Sequence, residues 1–121
     1  NVLSFGFKHG LPQDADLILD VRFIPNPFYI PEMRPMNGTD EPVRAYVMSF
    51  IESRIFVEKT LDMLKFLIPH YVSEGKDRLV IGIGCTGGQH RSVCLAQEIY
   101  QGLNQAGFHC AVSHRDTVLE K

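Results

Sequence analysis

Short apolar runs alternate along this chain with longer stretches in which apolar residues recur every three or four positions. The first run, Val2-Leu3-Ser4-Phe5-Gly6-Phe7, reads as a strand that ends in the polar loop Lys8-His9-Gly10. Leu11 to Asp16 reads as a connector or a single helical turn. Leu17 to Ile24 is a nearly continuous apolar run and predicts a second strand, buried within a parallel sheet. Between Pro25 and Pro42 the prolines at 25, 27, 31, 35 and 42 forbid a helix interior or a central strand, so a long ordered loop is expected. Its aromatics, Phe28 and Tyr29, suggest that it packs down. Helical spacing then links Val43, Tyr46, Val47 and Phe50. After a break near Ser53 it links Val57, Leu61, Leu64 and Ile68, with Pro69 as a kink and Gly75 as a C-terminal cap. Asp40 is a candidate N-cap for the first of these helices. Arg78 to Gly84 predicts a third strand, Arg91 to Ala106 a helix stopped by Gly107, and Phe108 to Val112 a fourth strand.

Strands joined by helical crossovers give an α/β fold with a mostly parallel sheet flanked by helices. Ligands in such sheets bind beyond the carboxyl ends of the strands. Three polar clusters fall there: Lys8 to Gly10, Asp20 to Asn26, and Cys85 to Ser92.

The third cluster carries the most chemistry. In Gly84-Cys85-Thr86-Gly87-Gly88-Gln89-His90-Arg91-Ser92 a buried strand enters a glycine-rich turn that opens a helix. Backbone amides in such a turn, with the unpaired amides of the helix N-terminus, form an anion-binding concavity. Thr86 and Ser92 add hydroxyls, and Arg91 adds a forked cation that matches two phosphate oxygens. The plainer reading is a tight turn whose glycines serve only backbone geometry. The lysine and hydroxyl pair of an ATP-type P-loop is missing. Cys85 and Arg91 also have the C-x5-R spacing of a cysteine phosphatase, in which a thiolate attacks phosphorus and the arginine clamps the oxygens. Gly84 stands where such enzymes carry His, and no acid-bearing loop follows. Cys85, His90, Cys94 and Cys110 match no zinc spacing, so no metal is expected. Lys8 and His9 lie at the same predicted sheet edge. Arg22, inside the predicted second strand, requires Asp20 or a bound anion as its partner. His109 and His114 read as structural or solvated.

At 121 residues the chain is the size of one domain, and the whole of 1–121 is read as a single ligand-binding domain. Twelve Lys and Arg against 14 Asp and Glu give a formal charge of −2, which supplies no global attraction to nucleic acid or anionic lipid. No apolar run approaches a membrane span and no secretory leader is evident, so three reduced cysteines in a cytoplasmic protein are expected.

Ser4 to Gly10, Asp20-Val21-Arg22-Phe23, Asn26-Pro27, Arg34-Pro35 and Gly82 to Val93 together resemble the C-terminal domain of the RapZ/YvcJ family, bacterial nucleotide-binding proteins also called RNase adapter proteins. The resemblance implies a fold like a phosphofructokinase subdomain. It also implies that ATP or GTP belongs to an N-terminal P-loop domain with no counterpart here, so that no cofactor is expected in this domain. It implies a regulatory module rather than an enzyme, one that holds a phosphorylated metabolite of the glucosamine-6-phosphate class, binds regulatory RNA and joins in oligomer assembly. The pocket residues implied are Cys85, Thr86, Gly87, Gly88, Gln89, His90 and Arg91, with Lys8, His9, Arg22 and Asn26 from the other motif blocks. Enterobacterial members resemble Asn-Pro-His where this chain has Asn26-Pro27-Phe28. Their tail is strongly basic where this one has only Arg115 and Lys121 as cations.

Overall fold

A computed structural model describes residues 1–117. Four strands, β1 (Val2–Gly6), β2 (Leu17–Asp20), β3 (Ile81–Cys85) and β4 (Val112–His114), form one sheet in the order β2-β3-β1-β4. Every pairing is parallel. Three helices accompany it: α1 (Glu41–Met48), α2 (Ile51–Ser73) and α3 (Arg91–Gln105). The fold is therefore α/β with an all-parallel sheet. Among the described residues no helix is long and apolar enough to cross a membrane.

The core lies between the sheet and α3, which packs on β1, β3 and β4, while α1 and α2 pack on α3. Alternation decides which residues enter it. Ile81, Ile83 and Cys85 of β3 face the helices with Val2, Leu95, Ile99 and Leu103. Gly82 and Gly84 take the opposite face, where a Cβ at Gly84 would come within 2.5 Å of the Phe5 ring and 2.6 Å of Phe7. The missing side chains make room for those rings.

Several boundaries differ from the sequence expectation. The second strand stops at Asp20 because the Asp20 carboxylate accepts from the Arg22 amide and turns the chain, so Arg22 lies beyond the strand. It is also an edge strand, with Leu17 and Leu19 half-buried while Ile18 and Asp20 are exposed, rather than one buried on both faces. The third strand starts at Ile81 instead of Arg78. The fourth starts at Val112 instead of Phe108, because the Phe108 amide closes the C-terminus of α3 on the Leu103 carbonyl after Gly107 at φ 94°. The break between α1 and α2 falls at Ser49–Phe50, and Ser53 is buried inside α2. That helix continues through Pro69 to Ser73 and ends before Gly75 at φ 91°. Asp40 precedes α1 but does not cap it, since its carboxylate accepts from the Asn37 amide.

Candidate anion site

Strand order places the site. From β1 the chain crosses past β3 to β2, and from β3 it crosses past β1 to β4, so the two connections leave in opposite directions. A crevice opens at the carboxyl ends where such a reversal occurs. Gly6 and Cys85 end their strands in register there. Lys8 follows β1, and the loop from Cys85 to His90 follows β3.

The glycine-rich loop is seated backbone on backbone. A Cβ on Gly6 would meet the Gly87 carbonyl carbon at 2.4 Å, and one on Gly88 would meet the Gly6 nitrogen at 2.6 Å. Gly88 also has φ +81°, which L side chains rarely adopt. The Lys8 amide donates to the Thr86 carbonyl, and the Gly88 amide donates to the Cys85 sulfur. The Cys85 thiol in turn donates to Ser92 Oγ at 3.1 Å.

The Pro-rich loop folds over this platform as a chain of turns. Asn26 accepts from the Phe28 amide and opens a one-turn 3-10 helix, Pro27–Tyr29. Two contacts pin the loop to the start of α3. The Gly38 amide donates to the Gln89 carbonyl, where a Cβ on Gly38 would strike the His90 carbonyl oxygen at 2.3 Å. His90 Nε2 lies 3.1 Å from the Met33 carbonyl oxygen. A carbonyl only accepts, so Nε2 carries the proton. Burial pushes the His90 pKa below its ordinary value, outweighing the carbonyls of Met36, Met33 and Arg34 that favour the charged ring.

Between platform and loop lies a cavity of about 650 Å³. Lys8, Cys85, Thr86, Gly87, Gln89, His90 and Arg91 line one wall, all of them singled out in the sequence. Asn26 lines the other, with Phe28, Tyr29, Arg34 and Asn37, of which only Asn26 had been proposed as a site residue. Gly88, Ser92, His9 and Arg22 stay outside the lining. Gly88 is turned onto β1, and Ser92 is fully buried beneath Cys85. Arg22 is exposed, paired to Asp20 at 2.7 Å, with its guanidinium 4.0 Å from the Phe7 ring centroid. Its backbone still contributes, because the Arg22 carbonyl receives Arg91.

Arg91 is the central group. It is only 4% exposed. Nη1 donates to the carbonyls of Arg22 at 2.9 Å and Ile24 at 2.8 Å, while Nη2 reaches Thr86 Oγ1 at 3.4 Å. Among the described residues Nε has no hydrogen-bond partner and no carboxylate forms an ion pair with this guanidinium. A buried cation left in that state favours an anion beside it. The whole lining repeats the pattern, with Lys8, Arg34 and Arg91 and no carboxylate among the described residues.

A sequence profile of the RapZ C-terminal domain matches residues 1–118. The chain belongs to the RapZ family. It is 57% identical over 115 residues to a nucleotide-binding protein of Clostridium beijerinckii, covering 95% of this chain and 39% of that protein. A nucleotide-binding protein of Staphylococcus haemolyticus is 58% identical over 121 residues, covering 99% of this chain and 40% of the relative. One of Caldanaerobacter subterraneus is 56% identical over 116 residues, covering 96% and 41%. This RapZ-type chain thus spans about two fifths of the length of the curated relatives it matches.

The phosphatase reading lacks parts in this RapZ-type domain. No described acid lines the cavity to protonate a leaving group, and Nη1 of Arg91 is committed to backbone carbonyls. Among the described residues no group of three or more His, Cys, Asp or Glu could hold a metal ion. Cys94 is a packing residue whose thiol burial pushes up to about 12. Two residues placed in the polar tail are structural. The Asp116 carboxylate is fully buried and accepts from the Gly6 amide at 2.7 Å, and Arg115 pairs with it at 2.9 Å. Lys121, the other tail cation, lies outside the described residues.

Proposed function

We propose that this domain is a regulatory binding module that holds a phosphorylated metabolite in the cavity between the Cys85–Arg91 loop and the Pro-rich loop. One observation carries the reading: the buried guanidinium of Arg91 at the head of α3, paired with no described carboxylate, inside a cavity lined by three cations and no described acid. The amides at the start of α3 and the positive end of its dipole reinforce the preference for a phosphate dianion. The family resemblance suggests an amino-sugar phosphate such as glucosamine-6-phosphate. The phosphate groups of RNA offer the same anion chemistry at the cavity mouth. Binding, not turnover, is the expected activity.

Calorimetric titration with inorganic phosphate and glucosamine-6-phosphate tests this. Lys8→Ala and Arg34→Ala should each weaken phosphate binding by about 1.5–3 kcal/mol, the worth of a charge-assisted hydrogen bond. Arg91→Ala is less clean, because it also frees the carbonyls of Arg22 and Ile24. A wild-type chain with no measurable affinity for either compound overturns the proposal.

A further inference from the structure

We infer that the solvent face of α2 is where a second copy of this chain docks, the two α2 helices lying antiparallel about a twofold axis. The surface is separate from the anion site and shares no residue with it.

Two faces of α2 carry apolar residues. The buried one includes Leu64, with Val57, Leu61 and Ile68 packed on the core. On the other, Ile51, Ile55 and Phe66 are 58%, 43% and 65% exposed. They share that face with Lys59, Asp62 and His70, all exposed. The row Ile51, Ile55, Lys59, Asp62, Phe66, His70 advances by 4, 4, 3, 4 and 4 residues. Its members therefore recur at an interval of 11, close to three turns of a straight helix, and the row holds one face over about 28 Å. Its far end carries the Phe66 and His70 rings, 4.8 Å apart. Beside its near end the exposed Phe23 ring lies 6.0 Å from that of Phe56 and widens the apolar area. Scattered surface apolar residues need no partner, whereas a contiguous strip rimmed by charge marks a contact surface.

The order of the row identifies the partner. Its spacing is the same read from either end, with the midpoint between Thr60 and Leu61. An antiparallel copy therefore sets Ile51 against His70, Ile55 against Phe66 and Lys59 against Asp62, each pair occurring twice by symmetry. The charges meet their opposites at the centre, and apolar contacts flank them on both sides. A slide of one turn would set Lys59 on Phe66 or Asp62 on Ile55. A parallel pairing would set Lys59 on Lys59 and Asp62 on Asp62. The central pair thus fixes both register and direction. Glu58 and Lys65 border the row on one side. Antiparallel helices meet like flank to like flank, so Glu58 of one copy comes beside Lys65 of the other and adds a second complementary pair. An unrelated apolar partner would have no use for charges in mirrored places.

Sedimentation equilibrium of the 121-residue chain over a wide concentration range tests this. The wild-type chain should show a monomer–dimer equilibrium. Lys59→Asp and Asp62→Lys each turn attraction into repulsion at two symmetric places, so each should raise the dimer dissociation constant about tenfold or more. Both side chains are exposed, so the urea midpoint of the monomer should not move. Combining the two exchanges in one chain should restore the wild-type constant. Mixing the two single variants should give a heterodimer tighter than either variant with itself, because every central pair is then of opposite sign. Phe66→Ser should weaken the dimer without changing its response to the charge exchanges. A chain that stays monomeric at every concentration overturns the inference. So does a dimer that ignores both charge reversals, since its contact then lies on another face.

Discussion

Gly88 shows how one residue serves the site from outside it. Its φ of +81° and its 2.6 Å approach to the Gly6 nitrogen leave no room for a Cβ. Gly88→Ala should lower unfolding free energy by about 1–3 kcal/mol from backbone strain alone, read as a reduced urea midpoint at unchanged slope. Local sequence marks this glycine as part of an anion-binding turn. Its actual constraint comes from β1, more than eighty residues earlier, which no local pattern reveals. Asp116 is the converse case. It reads as a polar tail residue, yet its pKa is held below the ordinary carboxylate value: burial pushes it up, and bonds from Arg115 and the Gly6 amide more than offset that. A lowered folded-state pKa adds stability above the unfolded value of about 4, and that stability is lost as pH falls through the lower folded value. Asp116→Asn should therefore cost about 1.5–3 kcal/mol at neutral pH and flatten the acid limb of the stability curve.

Among the elements, the strands were legible as short apolar runs and the helices by apolar residues recurring every three or four positions, because both patterns follow burial. The ends were not. Phe108 is apolar and β-prone, but the cap of α3 claims its amide, and Asp20 ends β2 with its own carboxylate. The Pro-rich loop was legible as a loop and silent about its anchors. Those are the Gly38 amide on Gln89 and the imidazole of His90 on Met33. For the same reason Phe28, Tyr29, Arg34 and Asn37 were missed as lining residues, since prolines reveal where the chain cannot be regular and not which wall it meets. The His90 anchor has a measurable signature. Its folded pKa is lowered, so its contribution is complete above the unfolded value of about 6.5 and declines as pH falls below it. Amide-exchange protection factors at residues 33–38, with the intrinsic pH dependence of exchange divided out, should fall between pH 7.5 and 5.5. His114, also buried with a lowered pKa, adds a change of the same sign at β4. His90→Gln should abolish the pH dependence in the loop and leave that of β4.

For the molecule as a whole, charge is distributed against its total. A net charge of −2 coexists with a cavity that gathers Lys8, Arg34 and Arg91. Such a total gives weak long-range attraction to a polyanion and leaves the three cations to act at short range at one mouth. If RNA phosphate uses this mouth, about three contacts at roughly −0.7 each predict a slope near −2 for log affinity against log salt. Mobility-shift titrations of the isolated domain should then show weak binding that moderate salt removes. Tight binding insensitive to salt would contradict this assignment of contacts. Assembly of several copies would raise the apparent affinity by presenting such mouths together.

The meeting of Gly6, Gly87 and Gly88 also bears on how this pocket can be remade. Main chain against main chain has no rotamers to exchange, so that half of the cavity answers substitution by standing or breaking. The facing half hangs from α3 by a carbonyl and an imidazole, and presents Phe28, Tyr29, Arg34 and Asn37 on turns that tolerate other side chains. A library built to change ligand preference should vary Phe28, Tyr29 and Asn37 and leave Arg34 and the glycines fixed, holding the cationic groups constant while altering what faces them.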